Sequence, residues 1–328
     1  MKAIAIIAML GAITLTYLVA VYPNAEDSEM IGRYHKYLAE YGKSYNSENE
    51  FEFRFQIFKE NANLIDAHNA QESTYTLGIN KFADWTEEEY KRLLGYNHYP
   101  FNCEDTICKS PTKKEVNWVK AGAVNAVQNQ GSCGSCWAFT TVGAIEGAHF
   151  KTTGELLKFS EQQFVDCCKD QCEGCHGGLQ NIALQWAEEH DLCLESQYKY
   201  KGRQGQCKES QCEHTFHTVN KCHTICPYDV NALKAAIEIE PVSMSVDSHS
   251  VAFKFYYGGI FNSASCGKRL DHAVLGVGYG EDYILIKNSW GLDWGDMGYM
   301  KISAKNTSRY PKEGICGMLM DNSYADSD

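Results

Sequence analysis

Fifteen cysteines in 328 residues constrain this chain more than any other feature. So many point to an oxidising compartment and a disulfide framework, and an odd count leaves one thiol over. The first residues agree with that compartment. "MKAIAIIAMLGAITLTYLVAVYPNA" carries one Lys and then an almost unbroken apolar run from Ala3 to Tyr22, with small residues such as Ala20 or Ala25 near its end. Residues 1–25 are therefore expected to be a secretory signal peptide. The run is also just long enough to span a bilayer, so an uncleaved anchor is the alternative, but no basic stop-transfer flank follows it. No second stretch of the sequence could span a membrane. The expected route is the secretory pathway, ending in a lysosome, a vacuole or outside the cell.

About 300 residues remain, enough for one large or two medium folding units. A net charge of -12 argues against nucleic acid or an anionic membrane as partner. Residues 26–110 hold only Cys103 and Cys108. Within them Tyr34, Tyr37, Leu38 and Tyr41 recur at three- and four-residue steps, as do Phe51, Phe55, Phe58, Ala62 and Ile65, which predicts two amphipathic helices. After "TYTLGINKFADWT" the chain loosens into "GYNHYPFNCEDTICKSPTKKE", an expected linker. From Val116 the signals change. "GSCWAFTTVGAIEGAHFKTTG" has helical periodicity with Gly154 as its stop. Beyond Pro241 come "PVSMSVD", "HAVLGVGYG", "YILIKNSW" and "GYMKIS", short β-rich runs punctuated by glycine. The expected class is α+β: a helical leading region, then a helical lobe followed by a strand-rich lobe, with a site in the cleft between the lobes.

"QNQGSCGSCWAF" (Gln128 to Phe139) holds Cys133 in a Gly/Ser loop and Cys136 where the helical pattern begins. A thiol at a helix start is favoured as thiolate by the helix dipole and free N–H groups, and more so by a nearby imidazolium. A redox or zinc reading of this C-x-x-C needs thioredoxin-like context or a second pair at metal spacing, and neither is clear. A hydrolytic thiol needs a base, an orienter for that base and an oxyanion donor. His272 in "RLDHAVLGVGYG", Asn288 in "YILIKNSWG" and the side-chain amide of Gln130 could supply them. Taken singly, each has a plainer reading: a core histidine, a turn asparagine, and for "GCHGG" a glycine turn.

The joint pattern is more specific. "CGSCW", with His272 lying 136 residues after Cys136 and Asn288 lying 152 after it, resembles the signature of the papain family of cysteine proteases. "FSEQQFVDC", "GCHGG", "YYGGIF", "DHAVLGVGYG" and "KNSWG" followed by "WG" fall in that family's order. Upstream, Glu50, Arg54, Phe58, Asn61, Ile65 and Asn69, then Gly78, Asn80, Phe82 and Asp84, resemble two motifs of cathepsin-L-like propeptides. The resemblance implies a papain-like two-lobed α+β peptidase at 111–328, made as a zymogen behind an inhibitory propeptide at 26–110. It implies Cys136 as nucleophile, His272 as general base and then acid, and Asn288 as holder of the imidazole under the shield of Trp290. Gln130 and the backbone N–H of Cys136 would form the oxyanion hole. Gly177, Gly178, Leu179, Gln180, Ser245, Leu270, Asp271, Ala273, Trp290 and Asp321 would meet the substrate.

Protein or peptide substrates and the chain's own propeptide are the implied partners, with no metal or cofactor, and the implied state is a monomer. Asp321, five residues after Cys316, would put a carboxylate on the floor of the second subsite, where many relatives have Ala or Ser. It could accept Arg as well as Phe or Leu there, or swing out to solvent. The implied bridges are Cys133–Cys175, Cys167–Cys207 and Cys266–Cys316, although Cys172 competes for Cys133. Eight further cysteines could pair in many ways. His214, His217 and His223 near Cys212, Cys222 and Cys226 could suggest zinc, but their irregular spacing and the oxidising context favour disulfides. Asn306 opens a glycosylation sequon. Processing is expected between Cys108 and Lys114, with inhibition at neutral pH relieved in acid. A non-catalytic binding protein on the same scaffold should have lost its nucleophile, and a stand-alone inhibitor would not carry the catalytic region. The peptidase is therefore the preferred reading.

Overall fold

Tyr34 of α1 (Ala25–Glu40) meets Phe51, Phe55 and Phe58 of α2 (Glu48–Asn69), and Tyr37 meets Phe58, as their helical spacing requires. The structure is a computed structural model that describes residues 25–97, 103, 105–169, 171–305, 309 and 311–326. The expected signal peptide, but for Ala25, and the sequon at Asn306 lie outside the described residues. Among the described residues no helix is long and apolar enough to cross a membrane.

The chain divides into two units, one of residues up to 64 with Ala83–Trp85, the other of Ile65–Phe82 with Thr86–Asp328. The first unit is organised on Asp84. Its fully buried carboxylate takes the Tyr37 hydroxyl at 2.8 Å and also accepts from the Tyr45 hydroxyl and the Lys43 ammonium. Arg54 donates to the Asp84 carbonyl at 3.0 Å and Asn61 to the Ala83 carbonyl at 2.8 Å, while Arg54 also pairs with Glu50 at 3.8 Å.

The second unit begins with β1 (Tyr75–Leu77) and α3 (Glu87–Lys91), whose start is held by a reciprocal cap between Thr86 and Glu89. Strands β2 (Asp105–Ile107) and β3 (Val116–Asn117) precede the long helix α4 (Cys136–Thr153). Gly154 ends α4 in the left-handed region, φ 77°, as a glycine after a helix does. Helices α5 (Glu161–Cys167) and α6 (Gln180–Glu188) pack on α4 around Trp137, Val142, Ile145, Phe159, Phe164 and Leu184. A small pair, β4 (Leu192–Cys193) and β5 (Thr215–Phe216), stands apart from the main sheet.

The strand-rich half holds β6 (Lys221–Ile225), α7 (Val230–Ile239), β7 (Val242–Val246), α8 (Val251–Lys254), β8 (Tyr256–Phe261), β9 (His272–Tyr279), β10 (Tyr283–Lys287), β11 (Tyr299–Ser303) and β12 (Asn322–Asp326). The sheet order is β1-β8-β11-β10-β9-β7-β12-β6-β2, with β3 added to β9. The edge strands of this order come from early in the chain, β1 antiparallel on β8 and β2 parallel on β6, and each is only three residues long, as edge strands often are. The helical half followed by a strand-rich half is the expected α+β arrangement. Strand β9 is buried along its whole length, and α4 lies against it, with Thr140 Oγ1 donating to the Val274 carbonyl at 2.8 Å.

Seven disulfides are formed. Cys133–Cys175, Cys167–Cys207 and Cys266–Cys316 are accompanied by Cys103–Cys222, Cys108–Cys226, Cys168–Cys172 and Cys193–Cys212. Cys172 thus pairs within its own loop. Among the described residues Cys136 is the one free cysteine, and it is buried.

Buried carboxyls, Glu240 and Asp271 among them, contribute a pH dependence. Burial pushes Glu240 up to about 8, opposed by Lys151 at 3.1 Å, and pushes Asp271 up to about 7. Each holds a proton when folded that it has lost when unfolded, so stability falls as pH rises toward those values. Burial pulls His272 down to about 4, which has the opposite sign but acts only below its ordinary value of 6.5. Between pH 6.5 and 8.5 the carboxyls therefore act unopposed by His272, and Glu240 alone is expected to cost about 2 kcal/mol. The expected result is a melting temperature that falls by several degrees across that interval, and a flatter profile for Glu240→Gln. Thermal unfolding at each pH checks it.

Candidate active site

The opening of α4 separates the two cysteines of the C-x-x-C. Cys133 is bridged to Cys175, and the next residue, Gly134, donates its N–H to the Cys175 carbonyl at 3.0 Å. Ser135 caps the helix without a side-chain bond to it, its hydroxyl being shared with Tyr200 at 2.6 Å. Cys136 is then the first helical residue, with a free thiol at the positive end of the helix dipole.

β9 begins at His272, and the following residue, Ala273, packs on Cys136 and turns its N–H to the thiol. His272 Nε2 lies 2.8 Å from Asn288 Oδ1, both side chains buried. An amide oxygen only accepts, so Nε2 carries the proton and Nδ1, buried without a hydrogen-bond partner, is left as the basic nitrogen. The Trp290 indole stacks on the imidazole with centroids 4.5 Å apart and is itself covered by Phe82, Tyr90 and Phe253. Burial pushes the Cys136 thiol up to about 11, against N–H bonds from Ala273, Gly95 and Trp137, and holds His272 down at about 4. In this state the two groups are neutral.

What buries them is a piece of the same chain. Gln130 Nε2 donates to the Leu93 carbonyl at 2.8 Å and to the Cys133 carbonyl at 2.8 Å, while its Oε1 accepts from Ser289 at 2.7 Å. Gly95 turns its N–H to the Cys136 thiol, and its carbonyl accepts from Gly178 N at 2.9 Å. Tyr96 pairs in parallel with Gly178 and donates its N–H to the Asp271 carbonyl at 3.1 Å. Its ring sits among Leu179, Leu270 and Ala273, and its hydroxyl donates to the Asp321 carboxylate beside Ser245 and Gln180. A side chain at Gly95 would not fit, because a Cβ there would stand 1.8 Å from the Gly134 carbonyl oxygen. Gly178 is similarly confined by the Trp137 ring at 2.6 Å, and Gly177 adopts φ 122°.

The catalytic and substrate-side residues singled out from the sequence gather around this cleft. The Asp271 carboxylate is turned away to Ser248, accepting its N–H at 2.8 Å and its hydroxyl at 2.9 Å, so that only the Asp271 backbone faces the cleft. Trp290 is fully buried and lies on the His272 ring. Gln180 donates to Ser245 at 2.7 Å, which fixes both at the end of the Tyr96 pocket. Leu93, Gly95 and Tyr96 were not foreseen. "LLGYN" reads like the start of a loose linker, and no local periodicity marks it as a segment laid in a cleft.

The close fit at Gly95 yields a prediction. Gly95→Ala should lift the segment off Cys136, at a cost worth about a tenfold change in occupancy or more. Alkylation of Cys136 in the intact chain at neutral pH should speed up by at least that factor, as mass spectrometry of the Cys136 peptide would show.

The family model described as "Papain family cysteine protease" matches residues 112–325, and the one described as "Cathepsin propeptide inhibitor domain (I29)" matches residues 34–90. Germination-specific cysteine protease 1 of Arabidopsis thaliana is 38% identical over 321 residues, covering 91% of this chain and 85% of that protein. Papain of Carica papaya is 36% identical over 303 residues, covering 90% of this chain and 86% of that protein. Among solved structures, the recombinant stem bromelain precursor aligns with a TM-score of 0.82 at 32% identity, covering 92% of this chain and 99% of that one.

Proposed function

The chain belongs to the papain family of cysteine proteases, carrying an inhibitory propeptide ahead of its peptidase region, and from that premise we propose that it cuts peptide bonds through Cys136, His272 and Asn288. The observation that carries the assignment is the Leu93–Tyr96 backbone, a peptide already seated on the thiol, the Gln130 amide and Gly178.

Once that segment leaves, water regains the site and the burial holding Cys136 and His272 neutral is relieved. The helix dipole and the nearby imidazole then favour a thiolate paired with an imidazolium. The thiolate attacks the substrate carbonyl carbon, and the oxyanion takes hydrogen bonds from Gln130 Nε2 and the Cys136 N–H. Collapse expels the amine, which receives its proton from His272 Nδ1, and leaves a thioester on Cys136. His272 next takes a proton from water as that water attacks the thioester, and the acid product departs as the thiol pair is restored. Asn288 and Trp290 keep the ring in place throughout. Rapid mixing of the matured enzyme with a peptide ester tests this. A burst of one leaving group per chain, with the acyl mass on Cys136, is expected; steady release with no adduct contradicts it.

Asp321 sets the second subsite. It accepts from the Tyr96 hydroxyl at the end of a pocket whose sides, Leu179, Leu270 and Ala273, are apolar. A substrate side chain there would be apolar with a donor at its tip, Arg included. Asp321→Ala is expected to lower kcat/KM for an Arg-Arg substrate at least about tenfold, while Phe-Arg changes little. Equal losses on both, or none, would take Asp321 out of the pocket.

Seven disulfides support an oxidising compartment and so the secretory route. A net charge of -12 disfavours nucleic acid as partner. The enzyme is assigned as a monomer that needs no metal or cofactor for this chemistry.

A further inference from the structure

Between the segment in the cleft and the start of the peptidase match at residue 112 lies a short strand with a bridge at each end. Strand β2 pairs in parallel with β6, with Asp105, Thr106 and Ile107 opposite His223, Thr224 and Ile225. Cys103 is bonded to Cys222 and Cys108 to Cys226, so both bridges run to β6 or the residue after it. Cys103 is not a surface attachment. It is 3% exposed and belongs to the same core as Trp137, Phe164 and Leu184, next to Cys222. Its N–H donates to Thr224 Oγ1 at 2.8 Å, the Cys226 N–H donates to the Ile107 carbonyl at 3.0 Å, and Lys221 pairs with Asp105 at 2.8 Å.

We propose that residues 103–108 are a covalent strap of the mature catalytic region, so that the inhibitory segment is freed only by a cut between Tyr96 and Cys103. This rests on the reading of Leu93–Tyr96 as the inhibitory segment. A cut in Lys109–Lys114, an exposed stretch apart from half-buried Pro111, severs the backbone but leaves two bridges in place. Tyr96 then remains seven residues from an anchor in the core. A tether that short keeps the segment at an effective concentration of roughly millimolar, which dilution does not lower. The strap thus decides which cut activates the enzyme, and it lies upstream of the Cys108–Lys114 window that the sequence suggests.

The test uses the full chain with a recognition sequence for an added endopeptidase in place of residues 98–102 or of 109–114. A Cys136→Ala background keeps the chain from processing itself. On electrophoresis without reductant, the downstream cut should leave one species that separates into two on reduction, and the upstream cut should release the fragment at once. In chains that retain Cys136, assayed without added thiol, the downstream cut should give at least tenfold less peptide hydrolysis than the upstream one. Release of the fragment by the downstream cut without reductant, or equal activity after either cut, would overturn the proposal. Should the altered chains not fold, unreduced peptide mapping of the unaltered chain replaces them. Linked peptides Cys103–Cys222 and Cys108–Cys226 in mature enzyme support the strap, and a mature chain beginning after Cys108 overturns it. Activity from neither cut would count against the peptidase reading, while the electrophoresis still decides the strap.

Discussion

Cys136→Ala is expected to lower peptidase activity by a factor on the order of 10^6 and leave a folded precursor. On the proposed mechanism the thiol, imidazole and Asn288 act as one unit, so removing the nucleophile removes the acyl-bond step altogether. The fold should survive because the change removes one sulfur atom at a helix start, where Ala is well tolerated. The neighbouring cysteine is the control for this reasoning. Cys133→Ala breaks the bridge to Cys175 that shapes the same loop, and should cost roughly 2–5 kcal/mol of stability. Hydrolysis rates and thermal unfolding of the two variants, measured side by side, separate chemistry from structure. Appreciable turnover by Cys136→Ala would remove it from its role.

The second large effect is expected at Asp84. Its carboxylate is the shared acceptor for Tyr37, Lys43 and Tyr45, and its side chain is wholly buried while the Lys43 side chain is 16% exposed. Asp84→Ala leaves a mostly buried ammonium and two phenols without that partner, at a cost of about 3–5 kcal/mol. A unit of this size has little core to spare, so that sum approaches its whole stability. The helices of residues 25–64 should lose hydrogen-exchange protection, and the precursor should leak peptidase activity at neutral pH. Asp84→Asn, which keeps one acceptor oxygen, should be less severe. Unchanged protection in Asp84→Ala would show that the unit is held by its aromatic contacts alone.

Local patterns made much of this legible. The aromatic spacing gave both leading helices, and Gly154 gave the end of α4, because amphipathic periodicity and a left-handed cap are written in adjacent residues. Cys136, His272 and Asn288 could be named together through a family signature, since no single one of them is distinctive. What stayed hidden depends on partners far along the chain. β2 is three residues long, two of them polar, and has meaning only against β6 more than a hundred residues later. Four of the seven bridges were hidden for another reason: eight cysteines allow too many pairings for spacing to choose among them, even where, as at Cys168–Cys172, the partners are close in sequence. Tyr96 was missed because its role comes from Asp321 at the far end of the sequence. The Asp271 carboxylate is held by Ser248, a partner that only the fold brings beside it.

Labelling with an active-site-directed epoxide tests the central claim most directly. Chain matured in acid with a thiol present should take up one epoxide, located on Cys136 by peptide mapping, with peptide hydrolysis lost in proportion. The intact precursor at neutral pH should take up little, because Gly95 and Tyr96 cover the thiol. Asn288→Ala should slow the labelling by releasing His272. A mature, hydrolytically active enzyme that leaves Cys136 unlabelled, or carries the adduct on another residue, would contradict the account.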